Sequence, residues 1–102
     1  MTVDFDYLET YAAGDMAVVA EVLGLFRQQA EGWLAGLEDP GAGWRDLVHT
    51  IKGSAKGIGA NALGDLADQA ERGDAAMAPQ VRAALVEVLA AIEGDLSRIG
   101  GG

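Results

Sequence analysis

Apolar residues recur along this chain at steps of three and four, and no stretch alternates with a period of two. Such spacing gathers apolar side chains on one face of an α-helix, so the pattern predicts an all-α protein. A short helix is expected over Phe5–Ala12 with Asp4 as its N-cap. Gly14 interrupts it, and Asp15 is placed to cap a second helix that runs to about Leu37. Val19, Val22, Leu23, Phe26, Trp33 and Leu34 form the stripe of that helix. EDPGAG, residues 38 to 43, is a turn by its proline and glycine content.

A third helix is expected from Trp44 to Ile58, ended by the GIGAN junction, because each glycine costs a helix about 1 kcal/mol relative to alanine. A fourth follows from Ala62 to Glu71, with Leu63, Leu66, Ala67 and Ala70 on one face. RGDAAMAP is the next turn, and the last helix runs from Pro79, a first-turn proline, to Arg98. Its stripe is Val81, Leu85, Val88, Leu89, Ile92, Leu96 and Ile99. Short connections favour antiparallel neighbours. The expected fold is therefore an antiparallel up-down four-helix bundle with a short extra N-terminal helix. A single domain is expected over residues 1–99, with residues 100–102 as a disordered glycine tail.

Charge narrows the function classes. Sixteen acidic residues against seven basic ones give a net charge of −9. That balance argues against nucleic-acid binding, which needs clustered Lys and Arg, and against docking on an anionic membrane. The chain has no cysteine, which removes disulfides, thiolate metal sites and cysteine nucleophiles and suits a reducing compartment. No basic segment followed by an apolar run opens the chain, and no unbroken apolar stretch is long enough for a membrane span. A cytoplasmic monomer is the expectation.

The only histidine, His49, stands in VHTIKGSAKGIGA together with both lysines, Lys52 and Lys56. At about 100° per residue, Arg45, Lys52, Gly53 and Lys56 fall on the side of the helix that carries His49. Trp44, Leu47, Ile51, Ala55 and Ile58 fall opposite, which puts His49 at the centre of a polar face. Residues 45 to 56 hold three bases and one acid, leaving four bases against fifteen acids elsewhere. This reads as a local cationic patch suited to an anionic group, one that keeps the imidazole neutral and nucleophilic. Gly53 costs stability in a helix interior, so close approach of another backbone is its expected purpose. A lone histidine without cysteine does not make a transition-metal site, and no calcium-loop spacing occurs. Glu9, Asp65, Asp68 and Glu71 read as solvated helix faces.

HTIKGSAKGIGANALGDLADQAE, residues 49 to 71, closely resembles the signature of histidine-containing phosphotransfer (HPt) domains of bacterial phosphorelays. The matching positions are His49, Thr50, Ile51, Lys52, Gly53, Ser54, Gly59, Ala60, Leu63, Leu66 and Glu71. The upstream LETYAAGDMAVVAEVLGLFRQQAEGWLAGL is similar to the family's short helix, Gly-Asp junction and long helix. The resemblance implies that His49 accepts a phosphoryl group from a receiver-domain aspartate and passes it to another receiver. It implies that Lys52 neutralises phosphoryl oxygens and that Gly53 leaves room for the docking receiver. Arg45 and Lys56 join the expected partner contacts by helix phase alone. The implied partners are response-regulator receivers or the receiver of a hybrid histidine kinase. No cofactor is expected on this chain, because the receiver brings the magnesium. The expected activity is that of a carrier without kinase activity of its own. Two competing readings are a receiver-docking domain that is never phosphorylated and the dimerising phosphoacceptor piece of a sensor kinase. An acidic residue usually follows the histidine in the latter, whereas Thr50 follows here.

Overall fold

The protein is described by a computed structural model covering residues 2–101. Its helices are α1 (Phe5–Tyr11), α2 (Met16–Glu38), α3 (Trp44–Gly57), α4 (Asn61–Arg72) and α5 (Ala78–Gly101), with a 3-10 turn at Ala75–Met77 before α5. No strand occurs among the described residues.

Both aspartate caps form as the sequence predicts. The Asp4 carboxylate accepts from the Tyr7 amide at 3.0 Å, and that of Asp15 accepts from the Ala17 amide at 3.0 Å. The helix termini otherwise lie within a residue or two of expectation, except at the end of α5. There the tail expected to be disordered from residue 100 is helical through Gly101, and Gly102 lies outside the described residues. The 3-10 turn was also not foreseen. Its start is capped by the Asp74 carboxylate, which accepts from the Ala76 amide at 2.9 Å.

The helices surround one core. Leu8, Leu23, Ile51, Leu63 and Leu85, one from each helix in turn, are at most 1% exposed. Each such side chain contributes roughly 1.5–3 kcal/mol by leaving water. The four longer helices form a closed ring of neighbours, α2 on α3, α3 on α4, α4 on α5 and α5 on α2. Phe26 and Trp33 meet edge to face at 5.2 Å within the α2 stripe. By length and composition α5 is apolar enough to cross a membrane. Its Val81, Leu85, Val88 and Ile92 are instead buried in the core, against α2 and α4.

The seam between α3 and α4 is built from small residues. Ala55, Ala60, Gly64, Ala67 and Ala70 are all buried, so the two helices approach closely. A Cβ on Gly64 would lie 2.8 Å from Lys56 Cε, because the lysine stem is laid across it. Between the helices the chain turns at Gly59, whose φ of +75° favours glycine. The Gly59 carbonyl accepts from the Asp4 amide at 3.1 Å, which fastens the N-terminal segment to this elbow.

Candidate functional site

Helix α3 presents His49 to solvent. Val48, Ile51 and Ala55 are buried on one side, while Arg45, His49, Gly53 and Lys56 are exposed on the other. The His49 side chain is 66% exposed. The helical phase inferred from sequence thus holds for Ile51 and Ala55 on the buried side and for Arg45, His49, Gly53 and Lys56 on the exposed one.

The surroundings of the imidazole differ from expectation. Its Nδ1 lies 2.8 Å from Oε2 of Glu71, at the end of α4. The other oxygen of that carboxylate, Oε1, accepts from Lys52 Nζ at 2.7 Å. Lys52 also reaches Asp68 Oδ1 at 3.4 Å, and Asp68 Oδ2 is ion-paired with Arg72 at 2.9 Å. Lys56 pairs with Asp65, and Arg45 donates to the main-chain carbonyls of Glu71 and Gly73. The cations expected to form an uncompensated patch are therefore matched, two by acids of α4 and one by its terminal carbonyls. Of the acids expected to be solvated faces, Asp65, Asp68 and Glu71 are these partners, while Glu9 is exposed as expected. The close α3–α4 seam is the cause, since it swings one edge of α4 against the polar face of α3.

Glu71 is thus the central residue that residue-by-residue reading missed. It sits 22 positions from His49, and only the motif match pointed to it. Its hydrogen bond from Lys52, joined by the one from His49, holds its carboxyl below the ordinary carboxylate value, against the opposing effect of partial burial. The same Glu71 bond holds the Lys52 ammonium above its ordinary value. A carboxylate only accepts hydrogen bonds, so the proton of a neutral imidazole sits on Nδ1 and Nε2 carries the free lone pair. The arrangement is a nucleophilic nitrogen facing solvent, with its tautomer fixed from behind.

Beside it, Gly53 is exposed, and a Cβ there would meet nothing within 4 Å. Among the described residues no neighbouring backbone uses the space that the glycine leaves. Further round α3, Ser54 and Gly57 face an open, largely apolar groove completed by Tyr11, Val22 and Leu25. Leu25 is 52% exposed and Tyr11 72%. From α2, Leu25 reaches the rim of this groove together with Val22.

A family model described as the Hpt domain matches residues 21–95. The chain is also similar to the crystal structure of the histidine phosphotransferase ShpA from Caulobacter crescentus, at 44% identity and a TM-score of 0.77. That likeness covers 96% of this chain and 97% of the other. Comparison with curated protein sequences gave no match. An exposed histidine on a helical bundle, a family match over most of the chain and a near full-length structural likeness lead to one assignment: the chain belongs to the Hpt-domain family of histidine phosphotransfer proteins.

Proposed function

We propose that this chain is a phosphohistidine relay intermediate, taking a phosphoryl group on His49 from a receiver phosphoaspartate and passing it, reversibly, to another receiver. The observation that carries the reading is the Nδ1–Glu71 bond of an otherwise exposed imidazole. It leaves Nε2 as the accepting atom. The Nε2 lone pair attacks phosphorus, the P–N bond forms as the P–O bond to the receiver aspartate breaks, and the carboxylate departs with that electron pair. Phosphorylation on Nε2 while Nδ1 keeps its proton leaves positive charge on the ring, which the Glu71 carboxylate stabilises. Lys52 has three donor protons and uses two on Glu71 and Asp68, so one remains for a phosphoryl oxygen.

Phosphoryl transfer is mainly positioning and charge stabilisation around a loose transition state. Among the described residues no three His, Asp or Glu side chains group as a metal site. On this reading the receiver supplies the magnesium, and the chain is a carrier rather than a kinase. The open space at Gly53 and the groove by Leu25 and Tyr11 form the docking face, with Lys56 at its other margin. The ring of four helices is read as an antiparallel up-down bundle of one domain, working as a cytoplasmic monomer.

The test is transfer of label from a phosphorylated receiver, in magnesium, to the chain and to His49→Gln. Acid-labile phosphate is expected on the parent chain and not on the variant. Equal labelling of both, or none from any receiver tried, would sink the proposal.

A further inference from the structure

We propose that Arg45 is a positioning residue for His49, acting through the last turn of α4 rather than by touching a partner. The proposal rests on the relay reading of His49 and concerns how that site is held in register.

Arg45 lies one turn before His49 on α3. Its guanidinium donates through Nη1 to the Glu71 carbonyl and through Nη2 to the Gly73 carbonyl, the latter at 3.4 Å. The last four carbonyls of an α-helix have no acceptor role within it, and α4 ends at Arg72, so the Glu71 carbonyl is one of these. Beyond it the chain leaves the helix at Gly73, whose amide returns to the Gln69 carbonyl at 2.8 Å. Arg45 therefore clasps the end of α4 to the start of α3, and its charge complements the negative end of the helix dipole.

The residue whose main chain Arg45 holds is the one whose side chain bridges His49 and Lys52. Terminal turns are where helices open most readily. Opening of this turn carries Glu71 Oε2 away from Nδ1 and releases the tautomer. The Arg72–Asp68 pair orders the same turn from within α4 and does not tie it to α3. Lys52 does tie it, at 3.4 Å through Asp68 and more closely, at 2.7 Å, through the very carboxylate that has to be aimed. Arg45 fixes the turn while leaving that carboxylate free for the imidazole.

Arg45→Ala and Arg45→Lys in the full chain test this. The first readout is the protonation of the two ring nitrogens of His49 by 15N NMR in the absence of any receiver. The second is transfer rate against receiver concentration. For Arg45→Ala the Nδ1-protonated fraction is expected to fall, and the limiting rate to drop about tenfold, as displaced reacting groups do. The half-saturating receiver concentration is expected to stay unchanged, and Arg45→Lys, which keeps one charged donor, to recover part of both losses. Unchanged ring signals and limiting rate would overturn the proposal. So would an effect confined to half-saturation, which marks a partner contact. Should the alanine variant fail to fold, Arg45→Lys carries the same readings, with a partial fall expected and no change overturning the idea. If the parent chain accepts no phosphate, the relay reading fails, while the ring-nitrogen measurement still decides the role of Arg45.

Discussion

The α2–α5 pair and the α3–α4 pair solve opposite problems with the same kind of element. Helices α2 and α5, with 23 and 24 residues, carry large apolar side chains to the core: Leu23, Phe26 and Trp33 from one, Leu85, Val88 and Ile92 from the other. Their length sets the long dimension of the molecule, 42 Å against 20 and 19 Å across. The two ion pairs between them, Arg27–Glu93 and Arg82–Glu38, lie at the rim with side chains 42–64% exposed. Helices α3 and α4, with 14 and 12 residues, bury smaller side chains, among them Ala55, Gly64, Ala67 and Ala70. Lys52 and Glu71 are each only about a quarter exposed. Charges shielded from water act on one another more strongly than charges at a rim. Bulk in one seam gives rigidity, and smallness in the other brings a charge network within reach of an imidazole.

That contrast separates stability from chemistry. The largest effect is expected on the scaffold side. Leu85 is fully buried, and Leu85→Ala should destabilise the fold by about 2–5 kcal/mol in denaturant titration, with transfer per folded molecule unchanged. A comparable loss of transfer in the molecules still folded would show that the two seams are not separable.

On the site side, Glu71→Ala should lower the limiting transfer rate by about tenfold, with a smaller loss of stability than Leu85→Ala brings. Acid should reproduce it. A carboxyl held below its ordinary value stabilises the fold above that ordinary value, and the contribution is lost as pH falls through the depressed one. The raised Lys52 acts in reverse: its contribution is complete below the ordinary lysine value and is lost as pH rises through the raised one. Stability of parent and variant measured against pH should therefore differ in the middle and converge at the acid end. Parallel curves throughout would mean that Glu71 is not coupled to its neighbours. The smallest effect belongs to the rim, where Arg27→Ala should cost less than about 1 kcal/mol and leave transfer alone. A larger cost would place part of the scaffold's strength in its surface charges.

Periodicity within a helix needs only the helix, and for that reason the five helices, the Asp4 and Asp15 caps and the outward face of His49 were legible in the sequence. The Glu71 bridge was not, because it depends on the rotation of α4 about its own axis relative to α3. That rotation is set by packing between the helices, and spacing within either helix says nothing about it. The charge count of residues 45 to 56 misled for the same reason, since it left out acids that are distant in sequence and adjacent in space. Gly53 was read as a place where a backbone comes near. Among the described residues none does, which leaves the space open for a backbone from outside the chain.

The openness of the imidazole has a consequence for fidelity. A nitrogen this accessible offers no shape by which to refuse one donor and admit another. For a relay intermediate, water and every receiver reach it on equal terms. On the relay reading, discrimination would fall to the ground around the imidazole, to the bare strip at Gly53 and the apolar groove beside Leu25. Two such carriers with the same histidine and the same acid behind it would then serve different circuits through the few residues at that border.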